Sequence, residues 1–95
     1  MFKYNRNTLY RVEQLLKDQE FTIRYERGSF KSGYCLVENK KIVVINKYFD
    51  QRARINSLLD IIPQIEINPI LFSNKSKRYF IKLASNLEEQ TLNRA

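Results

Sequence analysis

The chain reads as a single α+β domain with the element order α-β-β-β-α-α, in which helices pack a small three-stranded, mainly antiparallel sheet. Three observations predict this. Residues 28–46 hold both glycines, the one cysteine and the most apolar run of the chain, the pattern of two strand arms about a turn. Helical periodicity lies on either side of that stretch. The 95 residues, 43% of them apolar, suffice for one core and leave no room for a second domain, so residues 1–95 form one unit.

Residues 1–7 are a polar lead-in, expected to be loose, with Asn7 as a helix cap. Leu9, Val12, Leu15, Leu16 and Gln19 share one helical face, which predicts a helix from Thr8 to about Gln19. Phe21-Thr22-Ile23-Arg24-Tyr25 alternates and predicts a half-buried strand with Phe21, Ile23 and Tyr25 inward. Glu26–Ser32 is a polar loop. A hairpin follows, with Tyr34–Val37 as one arm, Glu38–Lys41 as the turn and Ile42–Ile45 as the other arm. The four apolar residues of the second arm are mostly β-branched, the mark of a central strand covered on both faces. Neighbours in sequence usually pair, so a simple antiparallel meander is expected.

Asp50 caps a second helix, Gln51 to Ile62, with Ile55, Leu58, Leu59 and Ile62 inward. Pro63 biases Ile62 away from the helical region and ends that helix. Gln64–Asn68 is a short connection, strand or loop. Asn68-Pro69, or Ser73 or Asn74, opens a third helix that reaches Leu92, with Tyr79, Phe80, Leu83, Ala84 and Leu87 inward. Residues 93–95 are expected to fray.

Composition excludes much chemistry. Histidine is absent, which removes the commonest general base and the Ser-His and Cys-His nucleophile pairs. A single cysteine excludes an internal disulfide and a Cys-rich structural zinc site. Glu26, Glu38, Asp50, Asp60 and Glu66 are scattered. No catalytic residue, metal ligand or cofactor is assigned. The longest apolar run has four residues, against the ~20 of a membrane helix. The start, Met-Phe-Lys-Tyr-Asn-Arg-Asn, has no apolar signal core. These features point to the cytoplasm. The small core makes a homodimer plausible.

Gly28-Ser-Phe-Lys-Ser-Gly33 has the glycine spacing of a phosphate-binding P-loop. The motif then needs Lys and Ser/Thr before a helix, whereas Tyr34 and Cys35 follow here and open a strand. The loop instead offers Gly28, Phe30, Lys31, Gly33 and Tyr34 as a candidate surface for a protein partner. The net charge is +7, and a basic excess favours polyanions. Lys31, Lys47, Arg52 and Arg54 interleave with aromatics at the hairpin, and Lys75, Lys77, Arg78 and Lys82 open the third helix. Together they form a candidate nucleic-acid face. A solvated basic surface accounts for the same residues. The sequence therefore leads to a non-catalytic binding or self-association module, with nucleic-acid binding as the alternative.

Val44-Ile45-Asn46, followed by the helix from Asp50 to Pro63, resembles the first half of ImmA/IrrE-type zinc peptidases over residues 8–63. In that family a strand ending near Asn precedes a helix bearing HExxH. On this chain Leu59 and Pro63 stand where the two histidines would be, and Asp60 where the glutamate would be. The resemblance thus implies a similar scaffold with the metal ligands lost, kept for binding. The chain also resembles short Bacteroidetes proteins in its Asn-, Lys- and Ile-rich style, a likeness that implies no function.

Overall fold

A computed structural model describes residues 3–28, 33–37 and 40–93, with side-chain detail for 3–28 and 40–85. The elements are helix α1 (Arg6–Asp18), strands β1 (Phe21–Glu26), β2 (Gly33–Val37) and β3 (Lys40–Asn46), helix α2 (Gln51–Ile61), two 3-10 turns (Ile62–Gln64 and Pro69–Leu71), and helix α3 (Asn74–Asn93). Of the expected hairpin turn Glu38–Lys41, Lys40 and Lys41 already belong to β3, while Glu38 and Asn39 lie outside the described residues, as do residues 29–32.

The sheet corrects the expected meander. It is mixed, with strand order β1-β3-β2. β1 runs parallel to β3, pairing Ile23 with Val43 and Tyr25 with Ile45. β2 runs antiparallel to β3, pairing Tyr34 with Val43 and Leu36 with Lys41. A mainly antiparallel three-stranded sheet is therefore not formed. The physical reason is that the middle seat shelters a strand from both sides, and Ile42–Ile45 gains most from it. Residues 27–32 between β1 and β2 make the skip feasible. A chain of six residues can reach at most about 20 Å, whereas two strand spacings are about 10 Å. Gly28 opens this connection at φ 151, a region open to glycine, and its carbonyl accepts a hydrogen bond from Asn46 Nδ2 at 3.0 Å.

One face of the sheet carries the core. Val43 and Ile45 are fully buried and Phe21 nearly so, against Val12, Leu15 and Leu16 of α1 and Leu58 and Ile61 of α2. On the other face Ile42 and Val44 are only half-buried and Thr22 and Arg24 are exposed. β3 is thus central but covered unequally, because the described helices pack on the Val43/Ile45 side.

Two helix ends differ from expectation, and at a third the structure selects among the expected caps. α1 starts at Arg6, because the Asn5 side chain, not Asn7, accepts from Thr8 N at 2.9 Å. α2 is capped by Asp50, which accepts from Ala53 N at 2.9 Å. It does not break before Pro63. Ile62 stays right-handed helical at φ −52, ψ −46, and the chain tightens into the 3-10 turn that contains the proline. Burial of Ile62 holds it there. Asn68 caps only the short turn at Pro69–Leu71, while Ser73 caps α3 by accepting from Ser76 N at 3.2 Å. Of the residues expected inward on α3, Leu83 is buried and Tyr79, Phe80 and Ala84 are half-buried, while the Leu87 side chain lies outside the described ones.

Gln19 ties these parts together. Its side chain is 1% exposed. The amide donates through Nε2 to Asn68 O at 2.9 Å and accepts through Oε1 from Asn68 N at 2.7 Å. Next to it, Asp18 Oδ2 accepts from Ser73 N at 3.0 Å. The C-terminal end of α1 therefore grips the segment that leads into α3. Gln19→Leu keeps the bulk and strands both Asn68 groups, so it should lower the unfolding free energy by about 1–3 kcal/mol in urea titrations. It should also speed amide exchange across residues 68–76.

Tyr25 gives a pH prediction. Its hydroxyl donates to Glu13 Oε2. Burial first, then that bond and the charge of Glu13, hold the phenol above its ordinary range, with Arg54 pulling the other way. An unfolded chain's tyrosine ionises near pH 10. The folded phenol keeps its proton beyond that, so its contribution is whole below pH about 10 and falls as pH rises past it. Unfolding free energy should drop in alkaline titrations, and the slope should flatten in Tyr25→Phe.

Candidate functional site

Two helices wall a cleft of about 570 Å³. α1 supplies Asn7, Tyr10, Arg11 and Gln14, and α3 supplies Lys75, Arg78, Tyr79 and Lys82, with Ser73 and Ser76 at its cap end. Both sets follow the same spacing of i, i+3, i+4 and i+7, which puts each on one helical face. Asp18 against Ser73 at one end and Arg11 over Tyr79 further along mean that α1 and α3 run antiparallel. The two polar faces therefore look at each other across the cleft.

Among the described residues the lining carries four cations, Arg11, Lys75, Arg78 and Lys82, and no carboxylate. Among the described residues none of the four forms an ion pair; the pair present, Arg24 with Glu26 at 2.8 Å, lies on the sheet. The Arg11 guanidinium stands 5.6 Å from the Tyr79 ring centre. Burial raises the Tyr79 phenol above its ordinary range, with Arg11 partly opposing. That hydroxyl stays protonated at neutral pH and can donate to an anion. Tyr10 is 59% exposed. Four cations, a protonated phenol, two serines and two side-chain amides can bind phosphate oxygens.

Of the residues expected on a nucleic-acid face, Lys75, Arg78 and Lys82 line this cleft. Lys77 is exposed on α3 but does not line it. Lys47, Arg52 and Arg54 belong to the β3–α2 corner. Arg54 is structural: Nε donates to Phe49 O and Nη2 to Lys47 O, both at 2.9 Å, and the guanidinium lies 4.7 Å from the Tyr25 ring centre. Arg52 covers the Tyr4 ring at 4.5 Å. Lys47 is exposed. Lys31 lies outside the described residues.

The surface expected to meet a protein partner is described only in part. Phe30 and Lys31 lie outside the described residues, and Gly33 and Tyr34 are already strand, paired with Val44 and Val43. Gly28 stands at the start of the crossover. Sequence reasoning missed Asn7, Tyr10, Arg11, Gln14 and Tyr79 as a site. The signal was present in the shared spacing 7-10-11-14 and 75-78-79-82.

Where the peptidase resemblance would place the two histidines and the glutamate of HExxH, Leu59 is half-buried and Pro63 and Asp60 are exposed. Among the described residues no group of three or more His, Cys, Asp or Glu could hold a metal ion. Among them, too, no helix is long and apolar enough to cross a membrane.

The division between corner and cleft is testable. Arg54→Lys gives up the forked pair of bonds to Phe49 and Lys47, and should cost about 1–2 kcal/mol in stability. It should leave anion binding unchanged. Lys82→Ala should do the reverse, which paired denaturation and binding titrations would show. No family model matches the chain, and neither a curated protein nor a solved structure does.

Proposed function

We propose that this chain is a small binding domain, not an enzyme, and that its ligand is nucleic acid held through phosphate contacts in the α1–α3 cleft. The observation that carries this is the lining itself: Arg11, Lys75, Arg78 and Lys82 converge from two helices, with no carboxylate among the described residues beside them. Phosphates replace the missing counter-charge, and release of condensed cations from the polymer drives binding. Lys75 and Arg78 stand in the first turns of α3, where helix-end amides add positive potential, so an anion there is favoured twice. The absence of histidine and the single cysteine support binding over catalysis and a cytoplasmic setting.

The test is fluorescence anisotropy of a labelled mixed-sequence oligonucleotide, titrated at several salt concentrations. Binding should persist near physiological salt. With up to four phosphates neutralised, log K should fall against log salt with a slope of about −3. The triple variant Lys75→Ala, Arg78→Ala, Lys82→Ala should weaken binding more than tenfold and flatten the slope by about 2. Loss of binding at physiological salt in the unaltered protein, or an unchanged affinity in the triple variant, would refute the proposal.

A further inference from the structure

Resting on the nucleic-acid reading above, we infer that the cleft accepts an unpaired strand, with one base stacked on Tyr10 and the neighbouring phosphates on the cations of α3 and Arg11. Three observations lead there. The first is size. The cleft of about 570 Å³ belongs to the class of sites that enclose a small molecule of roughly nucleotide dimensions. A duplex is a convex rod with its bases hidden in the stack, and a concave gap between two packed helices, whose axes lie only about 8–10 Å apart, cannot admit it. A single strand can turn a base inward.

The second is the state of the two rings. Tyr79 is half-buried and already has the Arg11 guanidinium over its face. Tyr10 is 59% exposed, and among the described residues neither a ring nor a cation lies on it. It is the ring with a face to offer. An aromatic platform beside cations is the recurring way to hold single strands, since every base has a π-face.

The third is what flanks Tyr10. Asn7 and Gln14 stand three residues before it and four after, on the same helical face, and both line the cleft. Each side-chain amide offers both donors and an acceptor, the groups that meet the edge of an unpaired base. Phosphate alone would ask for donors only. An acceptor-bearing, aromatic wall on α1 opposite a cationic wall on α3 divides the cleft into a base side and a phosphate side.

The chain contains no tryptophan, so Tyr10→Trp places a unique fluorophore at the platform. It should be titrated with short single-stranded DNA and RNA oligonucleotides, with the matching duplex, and with heparin as a polyanion without bases. Single strands of either sugar should quench the tryptophan; duplex and heparin should not. Tyr10→Ala should weaken single-strand binding roughly 5-fold to 100-fold, leave heparin binding unchanged and melt like the parent, since the ring is largely exposed. Tyr10→Phe should retain affinity. Equal binding of heparin and oligonucleotide without quenching, or no effect of Tyr10→Ala, would overturn the inference and leave the phosphate-binding proposal intact. Failure of every polyanion to bind would overturn both.

Discussion

The arrangement depends on one buried amide. Gln19 closes α1, and its side chain takes both hydrogen-bonding groups of Asn68, as a neighbouring strand would. A 3-10 turn at Pro69–Leu71 and the cap residue Ser73 separate Asn68 from α3. Asp18 receives the Ser73 amide one step further along. Forty-nine residues of chain are closed by these contacts, and the start of α3 is placed against the end of α1. A polar side chain at 1% exposure is tolerable only because all its groups are matched. Without the clamp α3 would dock only by Leu83, Phe72 and their apolar neighbours, and its rotation relative to α1 would be poorly defined. The cleft exists because that rotation is fixed.

The local elements were largely legible in the sequence and the pairing was not. Alternation at Phe21–Tyr25 marked β1, and the run Ile42–Ile45 marked the strand that sits in the middle of the sheet. These are one-dimensional signals, carried by the spacing of side chains. Which strands become neighbours is decided by a comparison of burials across the whole chain. β2 begins with Gly33 and its apolar run includes Tyr34 and Cys35, whereas all four apolar residues of β3 are β-branched aliphatics, so β3 gains more from two neighbours than β2 does. The rule that consecutive strands pair gave way to that difference. The start of α1 shows the same limit on a smaller scale. Asn5 and Asn7 are both good caps, and what separates them is whether Tyr4, just before the cap, is brought into contact with α2. There Gln51 Nε2 donates to Tyr4 O at 3.3 Å and Arg52 covers the Tyr4 ring.

The site was legible by half. Lys75, Arg78 and Lys82 stood out because they are dense along the chain. Arg11 did not, since a single arginine on a helix flanked by Glu13 and Asp18 looks like an ordinary solvated charge. Its meaning comes from the antiparallel contact of α1 with α3, which no local pattern contains. Arg54 shows the converse. By composition it belonged with Lys47 and Arg52 in a basic, aromatic patch. In place, its guanidinium is occupied by two backbone carbonyls and a tyrosine face, so it holds a corner together and has little left to give a ligand.

The cleft also runs against what stability alone would favour. Cations in the first turn of a helix oppose its dipole, each by a few tenths of a kcal/mol. Placing Arg11 opposite them adds repulsion between the two helices. A surface shaped only for folding would put acids at the start of α3, as Asp50 and Asp18 do at α2 and at the Ser73 amide. Here the acid comes from the far helix and serves the cap itself, while the side chains of α3's own first turns stay basic. Departures from local rules collect where a surface has another task. An anion drawn into the gap would relieve both the dipole mismatch and the repulsion across it. Such relief would add to the affinity for an anion, because the Gln19 clamp keeps the two helices from turning apart.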